Sequence, residues 1–364
     1  MSNSPSRRWK TALVGCGRIG QRHAAILAEE PRSLFTAVVD TSTGKAETLA
    51  ARHGGRTYGE MSEMIRSESP DLVSICTPSG IHPAQVLEAS RAGVANVVVE
   101  KPMALRLSDA DAMIAGCAEN GTRLFVVKQN RYNLPIRKLR QALDAGRFGK
   151  LVLGAVRVRW CREQEYYDQS SWRGTWAQDG GVFSNQASHH VDMLVWMLGP
   201  VESVCAMSST RLVRIEAEDT GVAIVRFTSG ALGVIEATTA ARPRDLEGSI
   251  SILGEKGTVE VGGFAMNEMR TWTFADPLPD DADVLAQYRT NPPDVYGFGH
   301  HAFYLDVFST LERAGRPPID GEEGRRSLEV VTAIYESIET GREIRIPFTP
   351  ESSRLGRSTV GVAR

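Results

Sequence analysis

Over the first 130 residues, short runs of consecutive apolar residues alternate with stretches of helical periodicity. The runs are TALVGCG, FTAVVD, LVSICTP, ANVVVEKP and LFVVKQN. A parallel strand that helices cover on both faces is apolar throughout, whereas a half-exposed strand alternates apolar and polar residues. The pattern therefore predicts an α/β fold whose first half is a doubly wound parallel sheet of the Rossmann type.

After Gly149 the pattern changes to longer segments in which apolar and polar residues alternate. These segments are KLVLGAVRVRW, EDTGVAIVRFTSGALGVIEATTA and GSISILGEKGTVEVGG. The sequences TSG and GEKG within them are typical of hairpin turns, so we expect a large, mostly antiparallel open sheet with one polar face. A helix from about Gln186 to Leu198 is predicted to interrupt it.

The end of the chain has two further stretches of helical periodicity. We expect helices from about Tyr296 to Ala314 and from about Glu322 to Thr340, and IRIPF predicts a last strand. A chain of 364 residues is longer than one hydrophobic core usually supports. We therefore expect two domains, residues 8–130 and residues 131–348, with the last helix packing back on the first domain.

Composition and charge narrow the possible functions. The chain has 42 basic and 44 acidic residues, and it lacks a basic stripe that could follow a phosphate backbone, so no nucleic-acid partner is expected. Its five cysteines are far apart and odd in number, which argues against a disulfide framework or a zinc cluster. No stretch approaches the ~18 apolar residues of a membrane span. We expect a cytoplasmic protein.

A glycine-rich turn follows the first predicted strand. In LVGCGRIGQRHAAIL, Gly15, Gly17 and Gly20 have G-x-G-x-x-G spacing between a strand and a helix. The first glycine permits a tight turn, the second lets the backbone approach a pyrophosphate, and the third lets the helix pack on the strand. The helix N-terminus favours an anion, so Arg18 and Ile19 are also expected to contact the cofactor.

The second predicted strand ends in Asp40, twenty residues after Gly20. An acidic side chain at this place accepts hydrogen bonds from the adenosine ribose hydroxyls and repels a 2′-phosphate, which favours NAD over NADP. Thr41 is expected to contact the same nucleoside. The alternative is a glycine turn followed by an aspartate that only caps a helix.

A second candidate contact zone for the cofactor is CTPSGIHP, which leaves the carboxyl end of the next apolar run. Open α/β sheets bind ligands at this edge, so we expect Thr77, Pro78, Ser79 and His82 near the cofactor. An equally good interpretation is that Thr77 and Ser79 only cap the helix that starts near His82.

The run VVVEKP ends in two charged residues. Glu100 and Lys101 are expected at the same sheet edge, towards the nicotinamide end of the cleft, and Pro102 restricts the backbone of Lys101 to an extended conformation. A lysine held there can hydrogen-bond a substrate hydroxyl or accept its proton. A surface lysine paired with its neighbouring glutamate is the alternative, and it suits a strand end less well.

Together, the G-x-G-x-x-G turn, Asp40, CTPSGIH, EKP and the later GGVFSNQASHHVDMLVWMLG resemble the Gfo/Idh/MocA oxidoreductases. The resemblance covers essentially the whole chain and preserves the order of the motifs. It implies a Rossmann domain that binds NAD and a C-terminal α/β domain whose open sheet forms dimers or tetramers. It also implies that Lys101 is the catalytic lysine.

The later motif contains Asn185, His189 and Asp192, which are spaced to share one face of the predicted helix. The resemblance implies that His189 is a general acid/base. Family members commonly have Asp where this chain has Asn185, so a negative charge that would support an imidazolium is missing. Without the resemblance, His189 would be interpreted as an ordinary core or surface histidine.

Further segments resemble one branch of the family, which oxidises UDP-N-acetyl-2-amino-2-deoxyglucuronate at C-3 of the sugar. They include VVKQNRYN, WCREQEYYDQSSWRGTW and NPPDVYGFGHHAFY, and that branch also carries the Asn variant. The resemblance implies hydride transfer to nicotinamide C4. Lys101 and His189 would take the hydroxyl proton, and Gln129 and Asn185 would orient the sugar.

A nucleotide-sugar acid needs cationic and aromatic groups around its diphosphate, uracil and carboxylate. The resemblance implies that Trp172 and Arg173 contact the nicotinamide ribose, as this loop does in relatives. Each of these side chains has an alternative role in packing. The candidates for contacts with the substrate are Arg131, Tyr132, Tyr166, Tyr167, Arg173, Gln186 and Tyr296, so Arg173 has a substrate contact as the alternative to the ribose.

Two other functions stay open from the sequence. One is an inositol or free-sugar dehydrogenase of the same family. Asn185 and the extended REQEYYDQSSWRGTW loop argue against this function. The other is a non-catalytic dinucleotide-sensing regulator with the same fold, against which Lys101 and His189 count. His300 and His301 lack a third ligand at suitable spacing, so we predict no metal.

Overall fold

The two hydrophobic patterns of the sequence correspond to two separate sheets. A computed structural model describes residues 7–290 and 297–358 of the chain. Its first unit contains the residues up to Val127 together with His300–Arg325, and its second unit contains Lys128–Gly299 together with the residues from Arg326 onwards. Each unit combines helices and strands, which confirms the α/β class.

The elements up to Val127 alternate strand and helix. They are β1 (Trp9–Val14), α1 (Arg18–Glu29), β2 (Ser33–Val39), α2 (Thr43–His53), β3 (Arg56–Tyr58), α3 (Met61–Glu68), β4 (Leu72–Ile75), α4 (His82–Arg91), β5 (Asn96–Val99), α5 (Leu107–Glu119) and β6 (Arg123–Val126).

The sheet of the first unit is doubly wound, as predicted. Among the described residues it has six strands in the order β3-β2-β1-β4-β5-β6, and every pair is parallel. Winding reverses between β1 and β4, the point at which such sheets bind dinucleotides. The three-residue strand β3 was not predicted, because its residues Arg-Thr-Tyr are mostly exposed and show no apolar run.

The second sheet begins in the next part of the chain. Its elements are α6 (Leu134–Asp144), β7 (Leu151–Arg159), α7 (Gln164–Asp168), α8 (Ser188–Leu198), β8 (Val201–Ser209), β9 (Thr220–Phe227), β10 (Leu232–Thr238), β11 (Glu247–Gly254), β12 (Gly257–Gly262), β13 (Glu268–Phe274) and α9 (Val284–Gln287). The last elements are α10 (Gly299–Glu312), α11 (Gly321–Thr340) and β14 (Ile344–Arg345).

The described strands of the second sheet number eight, in the order β13-β12-β11-β7-β10-β9-β8-β14. The β7–β10 pair is parallel, and the other pairs are antiparallel. The predicted hairpins at TSG and GEKG join β9 to β10 and β11 to β12. Helix α8 covers the inner face, where Gly154 and Gly233 leave room for Leu194 and Leu198.

The outer face of this sheet is polar only in part: Arg159 pairs there with Glu236 and Glu247, as predicted, but another part of the face is apolar, which was not predicted. Apolar side chains point outwards on three neighbouring strands, and strand register places them side by side: Ile224 pairs with Val234 and with Cys205, and Val222 pairs with Met207. Ile224 is 63% exposed and Met207 is 74% exposed. Alternation by itself could not reveal this, because valine and isoleucine occupy both faces of β9.

Two helix starts differ from the predictions. Helix α8 begins at Ser188, so Asn185 lies in the turn before the helix and not on its face with His189. The turn is held by hydrogen bonds of its own, including Asn185 N–H to the carbonyl oxygen of Gly181 at 3.0 Å. Helix α10 begins at Gly299, and the predicted start at Tyr296 lies outside the described residues.

In the part of the chain that the structure describes, no helix is both long and apolar enough to cross a membrane.

Candidate active site

The glycine turn after β1 has the shape that a dinucleotide requires. Gly15 has a φ of 96°, and a Cβ atom there would lie 2.7 Å from the carbonyl oxygen of Cys76. A Cβ on Gly20 would lie 1.9 Å from the carbonyl oxygen of Gly15, so only glycine lets α1 approach the turn. Around Gly17 nothing lies within 4 Å of that position, which leaves space for a phosphate at the helix N-terminus.

The residues predicted to contact the adenosine half surround that turn. Arg18 and Ile19 form the start of α1, and Thr41 is exposed after β2. The carboxylate of Asp40 accepts the backbone N–H of Cys16 through Oδ2 and that of Ser42 through Oδ1, both at 2.8 Å. These bonds tie the end of β2 to the glycine turn.

A cavity of about 290 Å³ lies beside Asp40 in the first unit. Its lining includes Cys16 and Ser42, whose N–H groups Asp40 accepts, and the basic residues Lys45 and Arg52. Asp40 thus sets a negative charge beside a cavity that is otherwise basic. A 2′-phosphate would meet Asp40 unfavourably and the two basic residues favourably.

We expect Asp40→Ser to move the cofactor preference from NAD towards NADP. The substitution removes the charge that repels a 2′-phosphate and leaves Lys45 and Arg52 in place. Losing one charged hydrogen bond to the ribose should lower kcat/KM for NAD by roughly 10–100-fold. The ratio of kcat/KM for the two cofactors is the measurement. Adding Lys45→Gln should reverse the gain for NADP, and an unchanged ratio in Asp40→Ser would contradict the assignment.

His82 connects two loops at the carboxyl edge of the sheet. One ring nitrogen, Nε2, lies 2.8 Å from the carbonyl oxygen of Thr77, and the other, Nδ1, lies 3.0 Å from that of Pro102. Burial lowers the pKa of His82.

The Thr77 hydroxyl donates to Gln85 Oε1 at 2.5 Å, and α4 has no side-chain cap. Thr77 and buried Ser79, which flank Pro78, therefore do not cap this helix, contrary to the second interpretation above.

Glu100 and Lys101 directly follow β5, at the carboxyl end of the strand, as predicted. The Glu100 side chain is buried, and its Oε1 atom lies 2.9 Å from Nε2 of His23 and 3.4 Å from Nε2 of His300. Its Oε2 atom accepts the backbone N–H of Lys101 at 3.0 Å. The buried carboxylate therefore holds the backbone at Lys101.

His23 is the cation that balances this carboxylate. Burial alone would lower the pKa of His23, but its neighbours Cys76, Tyr304 and Glu100 raise it well above the ordinary value. Burial would raise the pKa of Glu100, but the hydrogen bond from His23 and the nearby ring of His300 hold it well below the ordinary value. The pKa of His300 falls to about 4 through burial. The contacts therefore favour a protonated His23 beside an ionised Glu100, with His300 neutral.

His23, Glu100 and His300 are also the one group in the described ranges that could hold a metal, with ligand atoms within 4.8 Å of one another. Sequence spacing could not reveal this group, because its members come from α1, the end of β5 and α10. A histidine ligand must be unprotonated, whereas Glu100 favours the protonated form of His23. The group fits an ion pair better than a metal site, and the absence of a metal stays a prediction.

In the second unit, Gln129 and His189 contact each other. Both side chains are buried, and Nε2 of Gln129 lies 2.8 Å from Nε2 of His189. Because an amide nitrogen only donates, this arrangement places the ring proton of His189 on Nδ1. Two residues that the sequence placed in the site separately are therefore one hydrogen-bonded pair.

A buried ion cluster lies one helical turn from His189. Arg131 donates to the carboxylate of Asp192 through Nε at 2.7 Å and Nη2 at 2.8 Å, and Nζ of Lys128 lies 3.3 Å from the same carboxylate. Burial alone would raise the pKa of Asp192, but Arg131 and Lys128 hold it well below the ordinary value. Sequence reasoning placed Arg131 against the substrate and assigned no role to Lys128. In the structure, Arg131 and Lys128 both form ion pairs with Asp192. The contact of Arg131 with the substrate stays a prediction.

The turn before α8 is held by two buried side chains that sequence reasoning missed. The Tyr335 hydroxyl accepts the N–H groups of Gly181 at 3.1 Å and Ser184 at 3.2 Å, and it donates to Glu218 at 2.8 Å. Burial raises the pKa of Glu218 to about 7. Gln186 is buried in this turn and Asn185 is half-buried.

Two of the remaining aromatic candidates, Tyr166 and Trp172, both contact Arg173 in the loop around α7. The Arg173 guanidinium lies 4.1 Å from the ring centroid of Tyr166 and 5.0 Å from that of Trp172. Arg173 also lines an open cavity of about 560 Å³ in the second unit. Tyr132 is half-buried at the end of a short 3-10 turn, and Tyr296 lies outside the described residues. Their substrate contacts stay predictions.

Known proteins match the chain along both units. Residues 9–128 match the NAD-binding Rossmann fold of the oxidoreductase family GFO_IDH_MocA, and residues 140–346 match its C-terminal alpha/beta domain. The curated myo-inositol 2-dehydrogenase of Thermotoga maritima is 26% identical over 356 residues, which cover 93% of this chain and 98% of that protein.

Two solved structures are more similar. The WlbA dehydrogenase from Bordetella pertussis, in complex with NADH and UDP-GlcNAcA, has a TM-score of 0.91 and 45% identity over 95% of this chain and 100% of its own. The WlbA dehydrogenase from Chromobacterium violaceum, in complex with the same two molecules, has a TM-score of 0.88 and 43% identity over 94% of this chain and 97% of its own. The chain therefore belongs to the Gfo/Idh/MocA family of NAD-binding oxidoreductases.

Proposed function

We propose that this enzyme oxidises C-3 of UDP-N-acetyl-2-amino-2-deoxyglucuronate with NAD. The observation that carries the proposal is the 43–45% identity, over almost the whole chain, to two dehydrogenases whose structures contain NADH and UDP-GlcNAcA. The inositol dehydrogenase is similar at 26%. Asn185 and the paired Gln129 and His189 offer hydrogen-bonding groups for a ring that carries several hydroxyls, which suits a sugar or a cyclitol.

In the proposed reaction the C-3 carbon becomes a ketone. Bound NAD supplies the hydride acceptor at nicotinamide C4. Lys101 and His189 share the role of accepting the single proton that leaves the C-3 hydroxyl, and Nε2 of His189 can accept it once the Gln129 amide turns from the imidazole to the sugar; Gln129 and Asn185 then orient the ring. Glu100 fixes the backbone of Lys101, and the glycine turn with Asp40 holds the dinucleotide. Residues 8–130 then form the NAD-binding domain, and residues 131–348 bind the sugar and mediate oligomerisation.

A panel of substrates tests the proposal. The wild-type protein is mixed with NAD and, in separate reactions, the UDP-linked N-acetylglucosaminuronic acid, the matching UDP sugar without the carboxylate, and myo-inositol. NADH absorbance reports turnover. We expect turnover with the uronic acid, and turnover with myo-inositol alone would reassign the enzyme. Binding of NAD without turnover of any sugar or cyclitol would favour the non-catalytic regulator.

We also propose that the enzyme is a cytoplasmic homo-oligomer, a dimer or tetramer that pairs through the outer face of the second sheet. The five cysteines are free thiols, which suits a reducing compartment. The outer face presents Val222, Ile224 and Val234 in register on adjacent strands, and each is exposed. Contiguous apolar patches of this kind are typical of protein interfaces.

Ile224→Lys is expected to dissociate the oligomer, because it places a charge in the centre of this apolar patch. Light scattering coupled to size-exclusion chromatography measures the change in mass. Leu278→Lys is the matched control, since Leu278 is also an exposed apolar residue but does not lie on the sheet. If the Ile224→Lys protein keeps the mass of the wild type, the outer face is not the interface.

A further inference from the structure

Asp179 connects two segments of the second unit that carry candidate site residues. It is 2% exposed, and both carboxylate oxygens accept hydrogen bonds. Oδ2 accepts the backbone N–H of Gly174 at 2.8 Å, and Oδ1 accepts Nδ2 of Asn185 at 2.5 Å. Gly174 follows Trp172 and Arg173 in the chain, so one buried carboxylate joins that loop to the turn before α8.

The chemistry of this contact determines how Asn185 is oriented. A carboxylate only accepts hydrogen bonds, whereas a side-chain amide has one donating end and one accepting end. Asn185 must therefore turn its nitrogen towards Asp179 and its carbonyl oxygen away from it. An aspartate at position 185 would bring two carboxylates to hydrogen-bond distance, and one of them would have to be protonated.

The backbone of the turn does not depend on Asp179 for most of its contacts. Tyr335 accepts two of its N–H groups, and Glu218 accepts the N–H of Phe183 at 3.0 Å. Among these contacts, the one with Asp179 determines which end of the Asn185 side-chain amide is turned towards the buried carboxylate.

We propose that Asp179 is a positioning residue for the dehydrogenase reaction. Its carboxylate sets the polarity of Asn185, so that Asn185 presents a hydrogen-bond acceptor to a hydroxyl of the sugar. The proposal rests on the proposed function, because it assigns Asn185 to the sugar.

Asp179→Asn tests this polarity directly. The new amide at position 179 must turn its oxygen to the N–H of Gly174, so its nitrogen faces Asn185. The side-chain amide of Asn185 then has to flip, so that its oxygen accepts a hydrogen bond from this nitrogen. The hydrogen bonds of residue 179 to Gly174 and to Asn185 are both kept, but Asn185 now presents a donor. We expect kcat/KM for the UDP sugar to fall by roughly 10–100-fold, the range for losing a hydrogen bond in a charged network, with little change in Tm or in the Kd of NADH.

The double variant Asp179→Asn with Asn185→Asp completes the test. An aspartate at position 185 accepts at both ends, so it bonds to the new amide and again presents an acceptor. We expect this variant to recover most of the lost kcat/KM. Asn185→Asp alone places two carboxylates together, so it should lower Tm at pH 8, and adding Asp179→Asn should restore Tm.

The outcomes separate the two proposals. If wild-type protein oxidises the UDP sugar and Asp179→Asn does so equally well, Asp179 has no positioning role. A double variant that regains Tm but stays as slow as Asp179→Asn would also overturn it. If the wild type leaves the UDP sugar unoxidised, the substrate assignment fails first, and the same cycle on the sugar that is oxidised tests Asp179.

Discussion

Replacing Lys101 by Met is expected to lower kcat by about 10³-fold and to leave NADH binding nearly unchanged. General acid/base groups contribute about 10²–10⁴-fold, and methionine keeps the length of the side chain without its amine. The backbone N–H of Lys101, which Glu100 accepts at 3.0 Å, is kept in the variant. Single-turnover formation of NADH measures the chemical step, and a fluorescence titration measures the Kd of NADH.

The control for this variant is Lys150→Met, which removes an exposed lysine of the second unit. It should keep the wild-type rate. Single-turnover reduction of NAD at the wild-type rate in Lys101→Met would remove Lys101 from the mechanism and leave His189 as the acid/base group.

Asp192→Ala is expected to lower the free energy of unfolding by about 3–5 kcal/mol. The substitution leaves Lys128 and Arg131 as two buried cations without their carboxylate, and breaking a buried pair from one side carries a cost of that order. Chemical denaturation followed by circular dichroism measures the loss. Asp144→Ala is the matched control: Asp144 pairs with Arg140 at the surface and its side chain is 58% exposed, so the loss should stay below about 1 kcal/mol.

The pH dependence of this effect has a definite sign. Because Arg131 and Lys128 depress the pKa of Asp192 in the folded protein, its contribution to stability is complete above the unfolded value of about 4. That contribution is lost as the pH falls towards the folded value. The difference between wild type and Asp192→Ala should therefore shrink below about pH 4. Equal unfolding of the Asp192 and Asp144 variants at neutral pH would show that the cluster is not a stabilising element.

The parts of the first unit that follow from local sequence were predicted correctly. The G-x-G-x-x-G turn, Asp40 and the Glu-Lys pair each lie within a few residues of a buried strand, and a strand end determines where they lie. Parallel strands end at one edge of a sheet, so short motifs in separate runs could be assigned to the same edge. The family resemblance depended on the same local motifs.

The predictions that failed concern the environment of a residue. The short strand β3 has no apolar run, and the outer face of the second sheet is apolar along β8, β9 and part of β10 although its segments alternate. Asn185 precedes α8 because Tyr335, 150 residues later, holds the turn in place. None of these three features shows as a pattern of residues within one segment of the sequence.

The sequence by itself determined the α/β class, the dinucleotide turn, the preference for NAD and the place of Lys101 at a strand end, because periodicity and strand ends are local properties of the chain. Only the tertiary structure decided which charges share the interior. It pairs His23 with Glu100, and it surrounds Asp192 with Lys128 and Arg131. It also places the buried carboxylate of Asp179 within hydrogen-bond distance of the Asn185 side chain. The physical reason is that a buried charge is tolerated only with a partner, and in the first two clusters packing supplies that partner from segments far apart in sequence.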